Sequence, residues 1–163
     1  MSTAVFDTPT GPVRLRAAKG AVTGLSWATD VTDTSGDTAA APQGGAEAEL
    51  LAEAGRQLAQ YFAGARRSFD LPLAPRGGAF QLQFYAALSA IPYGDTRTYG
   101  EIAEEMGVSA QAIGQACGAN PIPILIPCHR VLGAKGLGGF SGGVGVETKV
   151  ALLRLEGAAG LLI

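Results

Sequence analysis

Cys128 and His129 stand side by side, and His129 is the only histidine in the chain. Sulfur attacks as thiolate, and an unperturbed thiol is mostly protonated at neutral pH. A reactive cysteine therefore needs a base, and His129 is the sole imidazole able to supply one. Neighbouring residues in regular structure point apart, so the pair can cooperate only through a turn or an intervening water. The plainer reading is a structural thiol beside a packed imidazole. Glu156 is the carboxylate that could orient the ring, as acids do in hydrolytic triads. It falls in the last turn of an expected helix, against the dipole, where an exposed glutamate costs about 0.3–1 kcal/mol. Contact with a histidine would offset that cost; a surface glutamate in Leu155-Glu156-Gly157 is the alternative.

The elements that must position these groups are legible in outline. Cys128 ends the apolar run Asn120-Pro121-Ile122-Pro123-Ile124-Leu125-Ile126-Pro127, whose three prolines predict extended backbone at Asn120, Ile122 and Ile126. The run is too apolar to lie in water, which puts Cys128 on a rigid, buried segment. Upstream, Thr98-Tyr99-Gly100-Glu101 has the form of a capping box, with Ile102, Ala103 and Met106 as the apolar face of the helix it opens. Gly107-Val108-Ser109 is a short turn, and Ser109 can cap a second helix through Ile113, Ala116 and Cys117. Two short helices about a glycine-containing turn make a helix-turn-helix pattern, a weak signal alone because such pairs also serve as packing units. Downstream, glycines crowd the stretch from Gly133 to Gly145 around Phe140-Ser141, as in loops whose backbone turns sharply or approaches a ligand. No Gly-Lys-Ser/Thr ending makes it a phosphate loop. A last helix spans about Glu147 to Glu156, with Val146, Val150, Leu153 and Leu155 as apolar contacts.

The N-terminal half reads differently. Ala4-Val5-Phe6, the alternating Val13-Arg14-Leu15-Arg16-Ala17 and Val22 to Trp27 predict an antiparallel meander. Residues 30–45 are small, polar and aperiodic, a mobile loop. Leu50, Leu51, Ala54, Leu58, Tyr61 and Phe62 share one face of a helix from Ala46 to Ala63, stopped by Gly64. Leu71 to Pro75, followed by Gly77-Gly78, is a domain boundary. Phe80, Phe84, Leu88 and Ile91 mark a second amphipathic helix, its aromatics read as core. The expected fold is α/β (α+β): an N-terminal sheet domain over 1–75 and a mainly helical domain over 76–163.

The string from Asn120 through Pro127-Cys128-His129-Arg130 resembles the active-site signature of the O6-alkylguanine-DNA alkyltransferases, single-turnover repair proteins that move an alkyl group from guanine to their own cysteine. The resemblance covers roughly the C-terminal half. It implies a ribonuclease-H-like N-terminal sheet, and it implies that Cys128 accepts the alkyl group through a cysteine–water–histidine–glutamate relay with His129 and Glu156. It gives Asn120 the ordering of the active-site turn and Tyr99 a hydrogen bond to guanine N3. Val131, Ser141, Phe140 and Arg130 are assigned to the substrate. Gln111, with Ala112, Ser109 and Arg97, is assigned to DNA bound through its minor groove with the lesion base flipped out. Without the resemblance, Tyr99 reads as core and Ser141 as loop filler. The partner expected is DNA containing O6-alkylguanine, the protein a monomer. No cofactor is expected, because the lesion carries the alkyl donor.

Two features depart from the pattern. The family normally has an arginine where Gln111 stands, and no Lys or Arg occurs between Arg97 and Arg130, while Glu101, Glu104 and Glu105 lie on the first helix of the pair. With net charge -2, DNA affinity should be weak and salt-sensitive. These departures keep two alternatives open: a transferase for single strands, nucleosides or unusual adducts, and a non-catalytic lesion sensor. The composition excludes other classes. No apolar stretch approaches the roughly 20 residues of a membrane span. No charged-then-apolar leader is present, which predicts a cytoplasmic protein. Cys117 and Cys128 are the only cysteines, so free thiols are expected and no Cys/His zinc site can form away from the active site.

Overall fold

A computed structural model describes residues 2–28, 45–134, 136–138, 143 and 145–158, which divide into two compact units, residues 1–76 and 77–163. The loop expected over 30–45 lies, apart from Gly45, outside the described residues, as do Phe140 and Ser141.

The first unit is an antiparallel meander of β1 (Ser2–Phe6), β2 (Val13–Ala18) and β3 (Ala21–Trp27), followed by helix α1 (Ala46–Phe62). Val13, Leu15 and Ala17 are wholly buried, as their alternation predicts. Arg14, expected on the wet face, is also buried at 1% exposure. Alternation tells which residues share a face, not whether the second face is covered. The helix buries Leu51, Ala54, Gly55, Gln57, Leu58 and Tyr61. Gly55 is there for clearance: a Cβ would lie 2.3 Å from the Phe6 ring, so only glycine lets strand and helix meet this closely. Glu47 in the first turn of α1 accepts from Ser2 Oγ at 2.7 Å and Lys19 N at 3.1 Å, pinning the start of β1 and the β2–β3 turn. The segment read as a boundary also has a structural job. Val22 N donates to Pro72 O and Ala74 N to Val22 O, both at 2.8 Å, which adds residues 72–74 along β3 as a short parallel edge.

The second unit holds α2 (Ala79–Ser89), β4 (Arg97–Thr98), α3 (Tyr99–Met106), α4 (Ala110–Gly118), β5 (Val131–Leu132) and α5 (Val146–Glu156). On α2, Phe84, Tyr85 and Leu88 are buried, but Phe80 is 36% exposed and is not core. The helix-turn-helix follows its signals. Thr98 accepts from Glu101 N at 3.1 Å while the Glu101 carboxylate accepts from Thr98 N at 2.8 Å. Gly107 closes α3 in the left-handed region at φ 70°, and Ser109 caps α4 by accepting from Ala112 N at 3.1 Å. The parallel pair β4–β5 places Arg97 against Val131 and Thr98 against Leu132. It joins the entrance of the helix-turn-helix to the residue that follows the Pro-Cys-His-Arg segment.

Helix α5 differs from its expected packing. Its buried residues are Thr148, Lys149, Leu152, Leu153 and Glu156, whereas Val146 is 42% exposed and Leu155 only partly covered. Leu153 packs as expected, but hydrophobicity misses most of the inward face because it carries Thr148, Lys149 and Glu156, the last two bonded to the neighbouring segment. No helix among the described residues is long and apolar enough to cross a membrane.

Candidate active site

The apolar run between α4 and β5 is a tight structure tied by one side chain. Asn120 Nδ2 donates to Ile126 O at 2.9 Å, and Asn120 Oδ1 accepts from Ile122 N at 3.0 Å. Ile126 N closes onto Ile122 O at 2.9 Å. Within this loop Ile124 takes φ 72°, unfavourable for a β-branched residue and tolerable only because Asn120 and burial fix both sides. Ile122, Ile124, Leu125 and Ile126 are all buried. They anchor the next residues as a single 3₁₀ turn, Cys128–Arg130.

That turn carries three consecutive buried side chains. Cys128 is 6% exposed, His129 fully buried and Arg130 7% exposed. His129 Nε2 lies 2.8 Å from Glu156 Oε2. Arg130 grips the same carboxylate, Nε to Oε1 at 2.8 Å and Nη2 to Oε2 at 3.0 Å, while Nη1 donates to Ile91 O at 2.7 Å. His129 Nδ1 is buried with no hydrogen-bond partner among the described residues. The glutamate at the unfavourable end of α5 thus meets both a histidine and an arginine.

Burial pushes the Cys128 thiol above its ordinary value, while a hydrogen bond from Asn120 and the nearby Lys149 ammonium pull the other way. Burial holds the His129 imidazole below its usual range, against the raising influence of Glu156. Both shifts favour the neutral forms, thiol and imidazole. Cys117, also free, is driven by burial to about 12 and stays a thiol.

Lys149 is the site residue that pattern reading missed. It is fully buried, its Nζ donates to Val131 O at 2.7 Å, and it lies 5.7 Å from the centre of the Tyr99 ring. The available signal was its spacing of seven residues before Glu156, two turns of one helix face. Tyr99 is half-buried at the start of α3, and its ring fits against Gly138, where a Cβ would stand 2.7 Å from Cε2. Gly138 has φ 72°, so both its conformation and this close approach require glycine.

Cys128, His129, Glu156, Asn120 and Arg130 are thus brought together, with Tyr99 and Val131 linked through Lys149. The Arg130 guanidinium bonds Glu156 and Ile91 O. Ser109 and Gln111 are exposed on the helix-turn-helix and Ala112 is half-buried. No charged residue lies on α4, and the Arg97 guanidinium pairs with Glu105 at 2.5 Å. Among the described residues no group of three or more His, Cys, Asp or Glu could hold a metal.

The fold and site define a two-part α/β protein in which a helix-turn-helix precedes a buried cysteine followed in sequence by a histidine paired with a glutamate. Residues 79–158 match the family described as "6-O-methylguanine DNA methyltransferase, DNA binding domain", and residues 1–75 the "6-O-methylguanine DNA methyltransferase, ribonuclease-like domain". A Methanosarcina acetivorans methylated-DNA–protein-cysteine methyltransferase is 43% identical, covering 95% of this chain and 97% of its own. Its Mycobacterium bovis counterpart is 44% identical over 93% of this chain and 89% of its own. The crystal structure of Mycobacterium tuberculosis OGT in complex with DNA superposes with a TM-score of 0.81 at 41% identity, covering 99% of this chain and 98% of that one. The chain belongs to the 6-O-methylguanine DNA methyltransferase family.

Proposed function

We propose that this protein repairs DNA by taking an alkyl group from O6 of guanine onto Cys128, once per molecule. The observation that carries the reading is the 2.8 Å contact between His129 and Glu156 on the turn that also bears the buried thiol. A water between Sγ and the unpartnered His129 Nδ1 would carry the thiol proton to the imidazole, whose positive charge Glu156 then stabilises. Sulfur attacks the alkyl carbon, the S–C bond forms as the C–O6 bond breaks, and the electron pair leaves with guanine. A donor at the departing base lowers this barrier, the role assigned to Tyr99 at guanine N3. The thioether is stable, and burial keeps Cys117 protonated, so nothing regenerates Cys128.

Asn120 holds the turn, and Val131, Ser141 and Phe140 are the residues this reading assigns to recognition of the base. Lesion O6 is stacked in a duplex, so the nucleotide must rotate out to reach a thiol that is 6% exposed. The helix-turn-helix would do this from the minor groove, with Gln111, Ala112, Ser109 and Arg97 at the DNA. The protein acts as a monomer without a cofactor. Retention of Cys128, His129 and Glu156 together favours transfer over a sensor that only binds.

Incubation with duplex DNA carrying O6-methylguanine, followed by intact-mass and peptide analysis, tests this. One added methyl on the Cys128 peptide is expected, and Cys128→Ala should bind without gaining mass. Binding by the wild type with no mass gain, or transfer by the alanine variant, would overturn the proposal.

A further inference from the structure

The guanidinium of Arg130 is engaged in a way that the alkyl-transfer steps do not use. Its three guanidinium nitrogens all donate, two to Glu156 and one to Ile91 O, and its Cζ lies 5.8 Å from the centre of the Tyr93 ring. Arginine has no acceptor. Both oxygens of Glu156 are therefore hydrogen-bond acceptors, and Oε2 faces Arg130 Nη2 at 3.0 Å and His129 Nε2 at 2.8 Å. The imidazole atom meeting an accepting Oε2 must carry a proton. That leaves Nδ1, buried and unpartnered, as the lone pair of the neutral ring.

We infer that Arg130 is a positioning residue for proton transfer: its fork locks the Glu156 carboxylate as a pure acceptor and so holds His129 in the tautomer whose Nδ1 can take the thiol proton. The inference rests on the proposed transfer reaction. Without the fork the carboxylate is free to rotate or to take a proton at Oε2. The ring then populates the opposite tautomer, with hydrogen on Nδ1, which cannot accept. The fork has a second effect. Glu156 favours imidazolium, while Arg130 on the same turn and Lys149 on α5 oppose it. Removing Arg130 leaves the carboxylate charge less balanced, so the ring protonates at higher pH and the base is lost sooner on acidification.

A single histidine makes this directly readable, because histidine-selective ¹⁵N labelling of the intact protein gives one imidazole spectrum. The wild type should show Nε2 protonated and Nδ1 bare at neutral pH. Arg130→Gln should show mixed tautomers, an imidazole titration about one unit higher, and the acid limb of the transfer rate moved by the same amount. DNA affinity should stay within about twofold. Arg130→Lys, which keeps the charge and loses the fork, should bring the titration most of the way back while the tautomers stay mixed. A wild-type ring protonated on Nδ1 would overturn the inference. So would an Arg130→Gln protein with unchanged tautomer and acid limb but weakened DNA binding, the behaviour of a substrate contact. If Arg130→Gln does not fold, Arg130→Lys decides: an unmixed tautomer there overturns it. Failure of the wild type to methylate Cys128 would instead sink the functional proposal, whatever the ring shows.

Discussion

Lys149 donates to the backbone carbonyl of Val131 across 2.7 Å, with no part of its side chain exposed. A buried ammonium is expensive, and burial holds this one below its ordinary value. Its charge nevertheless pulls the Cys128 thiol towards ionisation. Lys149→Met keeps the stem and removes the charge. The relief of burying a cation should roughly offset the lost hydrogen bond, leaving stability within about 1 kcal/mol of wild type. The methyl-transfer rate should fall about tenfold, because the thiol loses a charge that favours its ionisation. Urea unfolding and single-turnover rates measured together check this. A variant that is much less stable yet equally fast would show Lys149 to be a packing residue.

The buried imidazole makes a separate prediction about acid. His129 is held below its ordinary value of 6.5 chiefly by burial. On acidification the unfolded chain takes up a proton near 6.5 while the folded one resists. Stability is therefore fully present above 6.5 and is lost as pH falls from there through the depressed folded value. The slope contributed approaches about 1.4 kcal/mol per pH unit. His129→Gln removes this term and leaves the carboxylates. Unfolding midpoints across a pH series should run parallel for the two proteins above 6.5 and diverge below it, the wild type falling faster. Parallel curves throughout would mean the imidazole is not held neutral by the fold.

What could be read in advance divides along a physical line. The capping box at Thr98 and Glu101, the left-handed Gly107 and the alternation of Val13, Leu15 and Ala17 were legible because each is a local rule, satisfied within a few residues. The pairing of His129 with Glu156 was legible because a glutamate at the wrong end of a helix asks for a partner. Arg14 was not, since a charged side chain is buried only when distant chain closes over it, and Lys149 offered only its place two turns before Glu156 on the same helix face. Phe80 erred in the opposite direction, an aromatic in register with Phe84 that the fold leaves 36% exposed. The true role of residues 72–74 was hidden by prolines that read as a break, although Pro72 still contributes a carbonyl and Ala74 an amide to Val22. Arg130 was legible as part of a motif, but its partners lie 26 and 39 residues away, beyond any local inference.

The DNA-facing expectations converge on Gln111. It is exposed near the start of α4, a helix with no charged residue, next to an α3 whose Glu101 and Glu104 are exposed and whose Glu105 engages Arg97. Phosphate attraction supplies most non-specific DNA affinity and is lost linearly with the logarithm of salt, by about one unit of slope per charge contact. Gln111→Arg adds one cation on that face. If Gln111 sits where the base is extruded, the arginine should tighten duplex binding, steepen the salt slope by about one, and raise the transfer rate on duplex O6-methylguanine. The rate with free O6-benzylguanine, which needs no extrusion, should barely move. Rates on both substrates, with affinities at two salt concentrations, separate these effects. Equal acceleration on duplex and free base would place the gain in the sulfur chemistry and remove Gln111 from the DNA interface. A steeper salt slope with no change in duplex rate would make it a phosphate neighbour that plays no part in flipping the base.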